Sequence, residues 1–130
     1  MKRAFFASVA CVGMLAGCSS SSSGTAAANT GPVIDSVQAA ATATAGTQWT
    51  VTITFHDAEK DAVQDVHLTI KDVGVDQTQA ASGSTANASA VVLSVNIPAN
   101  MPKGVHAWTV SLVDARGAEG AVYANNLTVQ

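Results

Sequence analysis

From residue 49 onward the chain alternates apolar and polar side chains with a period of two. Trp49, Val51, Ile53 and Phe55 are interleaved with Thr50, Thr52, Thr54 and His56. Successive side chains of an extended strand point to opposite faces, so this alternation predicts a strand with one buried face. Val66, Leu68 and Ile70 form a second stripe, Val91, Leu93, Val95 and Ile97 a third, and His106, Trp108, Val110 and Leu112 a fourth. A fifth runs through Ala121, Tyr123, Leu127 and Val129, with an interruption at Asn125-Asn126 that predicts a bulge. A first strand is expected over Val33 to Val37, where Pro32 is tolerable at the start, and a weaker one over Val75 to Ala80.

Turn-forming clusters separate these runs, at Ala45-Gly46, Asp57 to Asp61, Asp72 to Gly74, Ser82 to Asn87, Pro98 to Gly104 and Ala115 to Gly120. No window carries a sustained helical stripe. Six or seven short strands within about 100 residues imply an all-β fold, an antiparallel β-sandwich, with a small open barrel as the alternative. The small-residue segments Ala39 to Gly46 and Ala81 to Ala90 read as connections between strands.

The N-terminus follows a different logic. Lys2 and Arg3 precede an apolar run from Ala4 to Met14, eleven residues long. A bilayer span needs about 20 residues, so the run suits a signal peptide instead. It ends Leu15-Ala16-Gly17-Cys18, which resembles the lipobox of bacterial lipoproteins. That resemblance implies removal of residues 1–17, acylation of Cys18, and anchoring of the chain to the cell envelope. Ser19 rather than Asp after the cysteine implies the outer membrane of a Gram-negative cell. One acyl chain anchors weakly, whereas two or three on Cys18 hold a protein to the bilayer. An incidental cysteine in an ordinary secretory signal is the bland alternative.

Residues 18–31 comprise this cysteine and a tether of Ser, Ala, Gly, Asn and Thr. Such residues bury too little apolar surface to offset the entropy of ordering them. Fully extended, the thirteen residues from Ser19 to Gly31 reach about 45 Å at most, and as a coil roughly 20 Å. The sequence therefore divides into a signal (1–17), a lipidated tether (18–31) and a folded module (32–130).

Within the module, "MPKGVHAWTVSLVDARGAEG" resembles the F-strand region of bacterial immunoglobulin-like and fibronectin-type domains, with their Pro-x-Gly-x-Tyr and Asp-Ala-x-Gly motifs. "FHDAEKDAV" is similar to the acidic turn after strand B in PKD-like and cadherin-like modules. The resemblance implies an immunoglobulin-like sandwich of about seven strands. His106 stands where that family has its corner tyrosine, and Lys60 replaces the turn glycine. With both cysteines, Cys11 and Cys18, outside the module, Trp49 and Trp108 are expected to fill the centre.

Charge narrows the function. The chain has 6 basic and 9 acidic residues, and without residues 1–17 the net charge falls from -3 to -5. A surface of that sign repels phosphates, which argues against nucleic acid. Asp57, Glu59 and Asp61 recur at spacing two, and the immunoglobulin topology brings Asp114 to the same end. These four are the calcium candidates, since Ca²⁺ takes six to eight oxygen ligands. Against them, Lys60 adds positive charge, and an acidic turn that bonds its own amides needs no metal. His56 and His67 are expected outward and His106 inward at the core rim, bonded to backbone, with no metal-ligand spacing among them.

No G-x-S-x-G, H-E-x-x-H, P-loop or dinucleotide motif occurs, so no catalytic residue and no cofactor is expected. The sequence reads as a non-catalytic binding or structural module at the cell envelope, its partners the membrane through the lipid and an envelope protein. The alternatives are a carbohydrate- or peptidoglycan-binding module, for which only Tyr123 and Trp108 supply aromatic surface, and a calcium-dependent adhesion module. If the first strand starts at the end that carries the Asp57–Asp61 and Asp114 loops, the tether leaves from that same end.

Overall fold

The computed structural model describes residues 28–81 and 88–130. The signal peptide, Cys18, most of the tether and the Ser82 to Asn87 turn lie outside the described residues. Among the described residues eight strands occur in chain order: β1 (Val33–Ala39), β2 (Thr42–Ala43), β3 (Gln48–His56), β4 (Val63–Ile70), β5 (Val75–Ala80), β6 (Ala90–Asn96), β7 (Gly104–Asp114) and β8 (Tyr123–Val129). A single 3-10 turn, Lys71–Val73, joins β4 to β5. The strand beyond the expected seven is the two-residue β2.

These strands form two sheets, β1-β3-β6 and β2-β8-β7-β4-β5. All pairings are antiparallel except β2 with β8, where the chain leaves β1 and crosses to the second sheet. This is the antiparallel sandwich that the alternation predicts, in the immunoglobulin-like arrangement that the resemblance implies. Each apolar stripe lies on an inner face: Trp49, Val51, Ile53, Phe55, Val91, Leu93 and Val95 from one sheet meet Val66, Leu68, Ile70, Trp108, Val110, Leu112 and Leu127 from the other. Full burial of one such side chain contributes about 1.5–3 kcal/mol, so this layer is the main source of stability.

Trp49 and Trp108 meet at the centre as expected. Their rings stand edge to face, 88° apart with centroids at 5.0 Å, the arrangement the ring quadrupoles favour. The Trp49 indole N–H donates to Ala40 O at 2.9 Å, fixing the segment that crosses between the sheets. Tyr123 leans on the other side of Trp108 at 5.9 Å.

The bulge expected at Asn125-Asn126 is absent. β8 pairs with β7 in unbroken register from Tyr123 to Val129. Asn125 keeps the inward parity of Leu127, but it lies at an exposed part of the strand, where an amide costs nothing to place. Register shifts occur instead in β1 between Ile34 and Ser36 and in β4 between Val63 and Asp65. At the far edge of the larger sheet, β5 is exposed on both faces apart from Val75, so this sheet overhangs the smaller one.

Candidate functional site

β7 spans the sandwich from pole to pole, and its inward positions run His106, Trp108, Val110, Leu112, Asp114. The middle three are core. The two end residues are polar and buried, His106 at one pole and Asp114 at the other, and each holds its pole together.

Around Asp114 two loops have the same construction. In Asp114-Ala-Arg-Gly-Ala, Asp114 Oδ1 accepts the N–H groups of Arg116 at 2.8 Å and Ala118 at 2.9 Å, while Gly117 N–H donates to Asp114 O at 3.0 Å. In Asp57-Ala-Glu-Lys-Asp, Asp57 Oδ1 accepts from Glu59 at 2.9 Å and Asp61 at 3.1 Å, while Lys60 N–H donates to Asp57 O at 3.2 Å. The fourth residue is left-handed in both, Gly117 at φ 86 and Lys60 at φ 60. An aspartate that satisfies its own loop amides stabilises a tight turn. The loops are tied by Ala115 N–H to Ala62 O at 2.8 Å, with the Arg116 guanidinium 3.6 Å from Asp61 Oδ2.

The chain entering the sandwich is fastened to this pole. Asn29 Nδ2 donates to Asp114 Oδ2 at 2.9 Å, and the Thr30 hydroxyl donates to both Glu59 oxygens, at 2.9 and 3.1 Å. Gly31 and Gly120 lie where the backbones of 31–32 and 119–120 cross so closely that a Cβ on either would overlap the other segment. Residues 29–31, read from sequence as tether, therefore form a strap across the Ala115 to Gly120 loop. Burial alone would push the Asp114 carboxyl up. The donors around it, from Ala118, Asn29, Arg116 and Gly117, outweigh that and hold it below the ordinary carboxylate range.

The four calcium candidates thus share a pole but not a focus. Asp57 and Asp114 each turn one oxygen to loop amides, Glu59 takes Thr30, and Asp61 faces Arg116. Among the described residues no three acidic or histidine side chains converge as a metal-binding group. Asn29 Oδ1, Asp57 Oδ2 and Asp61 Oδ2 are buried there without a hydrogen-bond donor.

The histidines lie as the alternation predicts. His56 and His67 point outward, toward Asp35 at 2.7 Å and Asp76 at 2.8 Å. His106 points inward, its Nε2 2.8 Å from Pro102 O and its Nδ1 2.6 Å from Asp72 Oδ2. In immunoglobulin-like folds a tyrosine closes this corner through a bond to backbone a few residues upstream; here the imidazole closes it. The Pro102 carbonyl first, and then the Asp72 carboxylate, favour the charged ring and raise its pKa above the ordinary imidazole value despite burial. The strap and the Asp72 contact escaped the sequence reading because both join segments far apart in the chain. Trp49 and Trp108 are buried, so neither offers an open face for sugar stacking, and Tyr123 is half-buried.

Two β-layers, an inner face filled by alternating apolar residues and a corner at the start of the sixth long strand define an immunoglobulin-like sandwich. The comparisons agree at the level of fold. The chain is similar to the PKD domain of an M14-like peptidase from a Thermoplasmatales archaeon, with TM-score 0.58, 22% identity, and 78% of this chain and 98% of that one covered. It is also similar to a Niemann-Pick type C2 protein from Japanese carpenter ant, with TM-score 0.52, 5% identity, and 80% and 96% covered. No protein-family model matches the chain, and no curated protein sequence does.

Proposed function

We propose that this chain is a lipid-anchored envelope protein in which the sandwich is a non-catalytic module that presents its surface to a protein partner. The observation that carries this reading is the strap. The chain reaches the sandwich at one pole, where Asn29, Thr30 and Gly31 are fastened to the Asp57 and Asp114 loops. The segment that follows Cys18 then ends on a pole held by these bonds. The outer faces and the opposite pole are left free to meet a partner. Both turn aspartates bond their own loop amides and Trp49 and Trp108 lie in the core, which supports a module that binds without catalysing. The acidic balance disfavours nucleic acid.

Two measurements test the two halves. Full-length chain expressed in a bacterial host fed an alkyne-tagged fatty acid is expected to take up label and sediment with outer membranes. Cys18→Ala should abolish both, and label retained by Cys18→Ala would refute the anchor. For the partner, photo-crosslinkers are placed at the Asp57–Asp61 loop and separately at Thr50, Thr52, His67 and Thr109. One recurrent protein captured from one face supports a binding module. Capture of glycan or lipid alone counts against it.

A further inference from the structure

His106 has acceptors on both sides of its ring. Pro102 O is a carbonyl and never a donor, and Asp72 is a carboxylate whose side chain is half exposed. For both contacts, at 2.8 and 2.6 Å, to be hydrogen bonds, both ring nitrogens must carry protons, and only the imidazolium does. The two acceptors belong to different segments: Asp72 to the 3-10 turn between β4 and β5, Pro102 to the loop between β6 and β7. Between those segments lies a cleft of about 260 Å³, lined by Asp72 and Val73 on one side and Pro98, Asn100, Met101 and Pro102 on the other. Met101 is buried beneath it. The His106 ring bonds one residue of each wall, Asp72 and Pro102.

We propose that His106 is a pH-operated fastener: as the imidazolium it draws the β4–β5 turn and the β6–β7 loop together, and on losing a proton it releases Asp72 and widens the cleft between them. Neutral imidazole has a single N–H, so one of the two acceptors must then face a lone pair. Pro102 is four residues upstream in the same corner, and its carbonyl turns away only if the loop backbone moves. Asp72 can swing into water at little cost. The Asp72 contact is the one that parts.

The other charges near the ring do not replace it. The β4–β5 turn contributes Lys71 besides Asp72, the β6–β7 loop contributes Lys103, and β8 contributes no charged residue. Lys71 and Lys103 are both exposed. Asp72 is the only charged side chain bonded to His106 among the described residues. The raised pKa of His106 is in keeping with this arrangement. The inference goes beyond the envelope reading and stands without it.

Ring-nitrogen NMR of isotopically labelled full-length chain between pH 5 and 9 tests it. The expected result is an imidazolium with both nitrogens protonated, titrating above the ordinary value of 6.5. The amides of Asp72, Val73 and Gly74 should shift with the same midpoint. Asp72→Asn, at a half-exposed position, should lower the His106 midpoint and remove the common titration of the turn. His106→Tyr should close the corner with a hydroxyl and leave the turn amides flat across the range. A ring already neutral at its ordinary value, turn amides indifferent to His106, or an unmoved midpoint in Asp72→Asn would each overturn the proposal.

Discussion

Lys60 and Gly117 occupy the same place in two turns folded by the same bonds. Each is the third residue after an aspartate whose Oδ1 takes the second and fourth following amides, and each is left-handed. Glycine adopts that conformation freely, whereas a side chain costs about 1–2 kcal/mol. The turn at Lys60 is thus held against a backbone preference that the turn at Gly117 does not meet. Lys60→Gly gains that strain back and loses part of it to the added freedom of the unfolded chain. The expected net is a stabilisation of about 0.5–1 kcal/mol in urea unfolding. Gly117→Ala is the converse, with an expected loss of about 1 kcal/mol.

Asp114 is the larger lever at the same pole. Asp114→Ala leaves the Arg116 and Ala118 amides and the Asn29 side chain without their acceptor. Orphaned buried donors cost about 1–3 kcal/mol each, less where water enters, so a loss of about 3 kcal/mol is expected from denaturant unfolding. Asp114→Asn keeps an acceptor oxygen and should lose less.

The same carboxyl sets an acid limb. Its folded pKa lies below the unfolded value, so its contribution is complete above the unfolded value near 3.8 and is lost as pH falls through the folded value. His106 sets the opposite limb. Its folded pKa is raised, so its contribution is complete below 6.5 and is lost as pH rises through the folded value. Stability against pH should therefore fall on both sides, with Asp114→Asn flattening the acid limb and His106→Tyr the other. An unchanged acid limb in Asp114→Asn would show that other carboxylates govern it.

The close crossing of the strap is tested by Gly120→Ala. The new Cβ overlaps the Pro32 backbone, so 31–32 must move off the loop. Limited proteolysis of full-length chain should show faster cleavage between residues 28 and 33 than in wild type. The global transition should fall by about 1–3 kcal/mol, the usual penalty of overpacking.

In the core, Trp108→Ala removes the ring between Trp49 and Tyr123. The expected cost is about 3–5 kcal/mol by thermal or urea unfolding.

What the sequence revealed and what it withheld follow from the range of the interactions. Trp49 through Phe55 declare their strand because alternation is local, and Trp108 declares its partner because two large rings must share one core. Asn125 misled: a polar residue at an inward position suggested a bulge, yet the exposed part of β8 lets it stay in register. The Asp57 and Asp114 turns were visible as aspartates in loops, and the reading that they bond their own amides agrees with the geometry. Their identity as one motif needed the backbone angles of Lys60 and Gly117. Asn29 to Asp114 spans 85 positions and His106 to Asp72 spans 34. No periodicity encodes contacts of that separation.

The strap also decides how the molecule answers to tension. A pull on residue 28 away from its pole runs along β1, whose pairing with β3 extends from Val33–His56 to Ala39–Val51 with one register shift between Ile34 and Ser36. The load falls on the whole ladder at once, in shear, and cannot peel it one pair at a time. Asn29, Thr30 and the interlocked backbones at Gly31 and Gly120 sit ahead of that ladder and yield first. A chain tugged from its N-terminus would give up a few residues of slack before the sandwich itself bore the force.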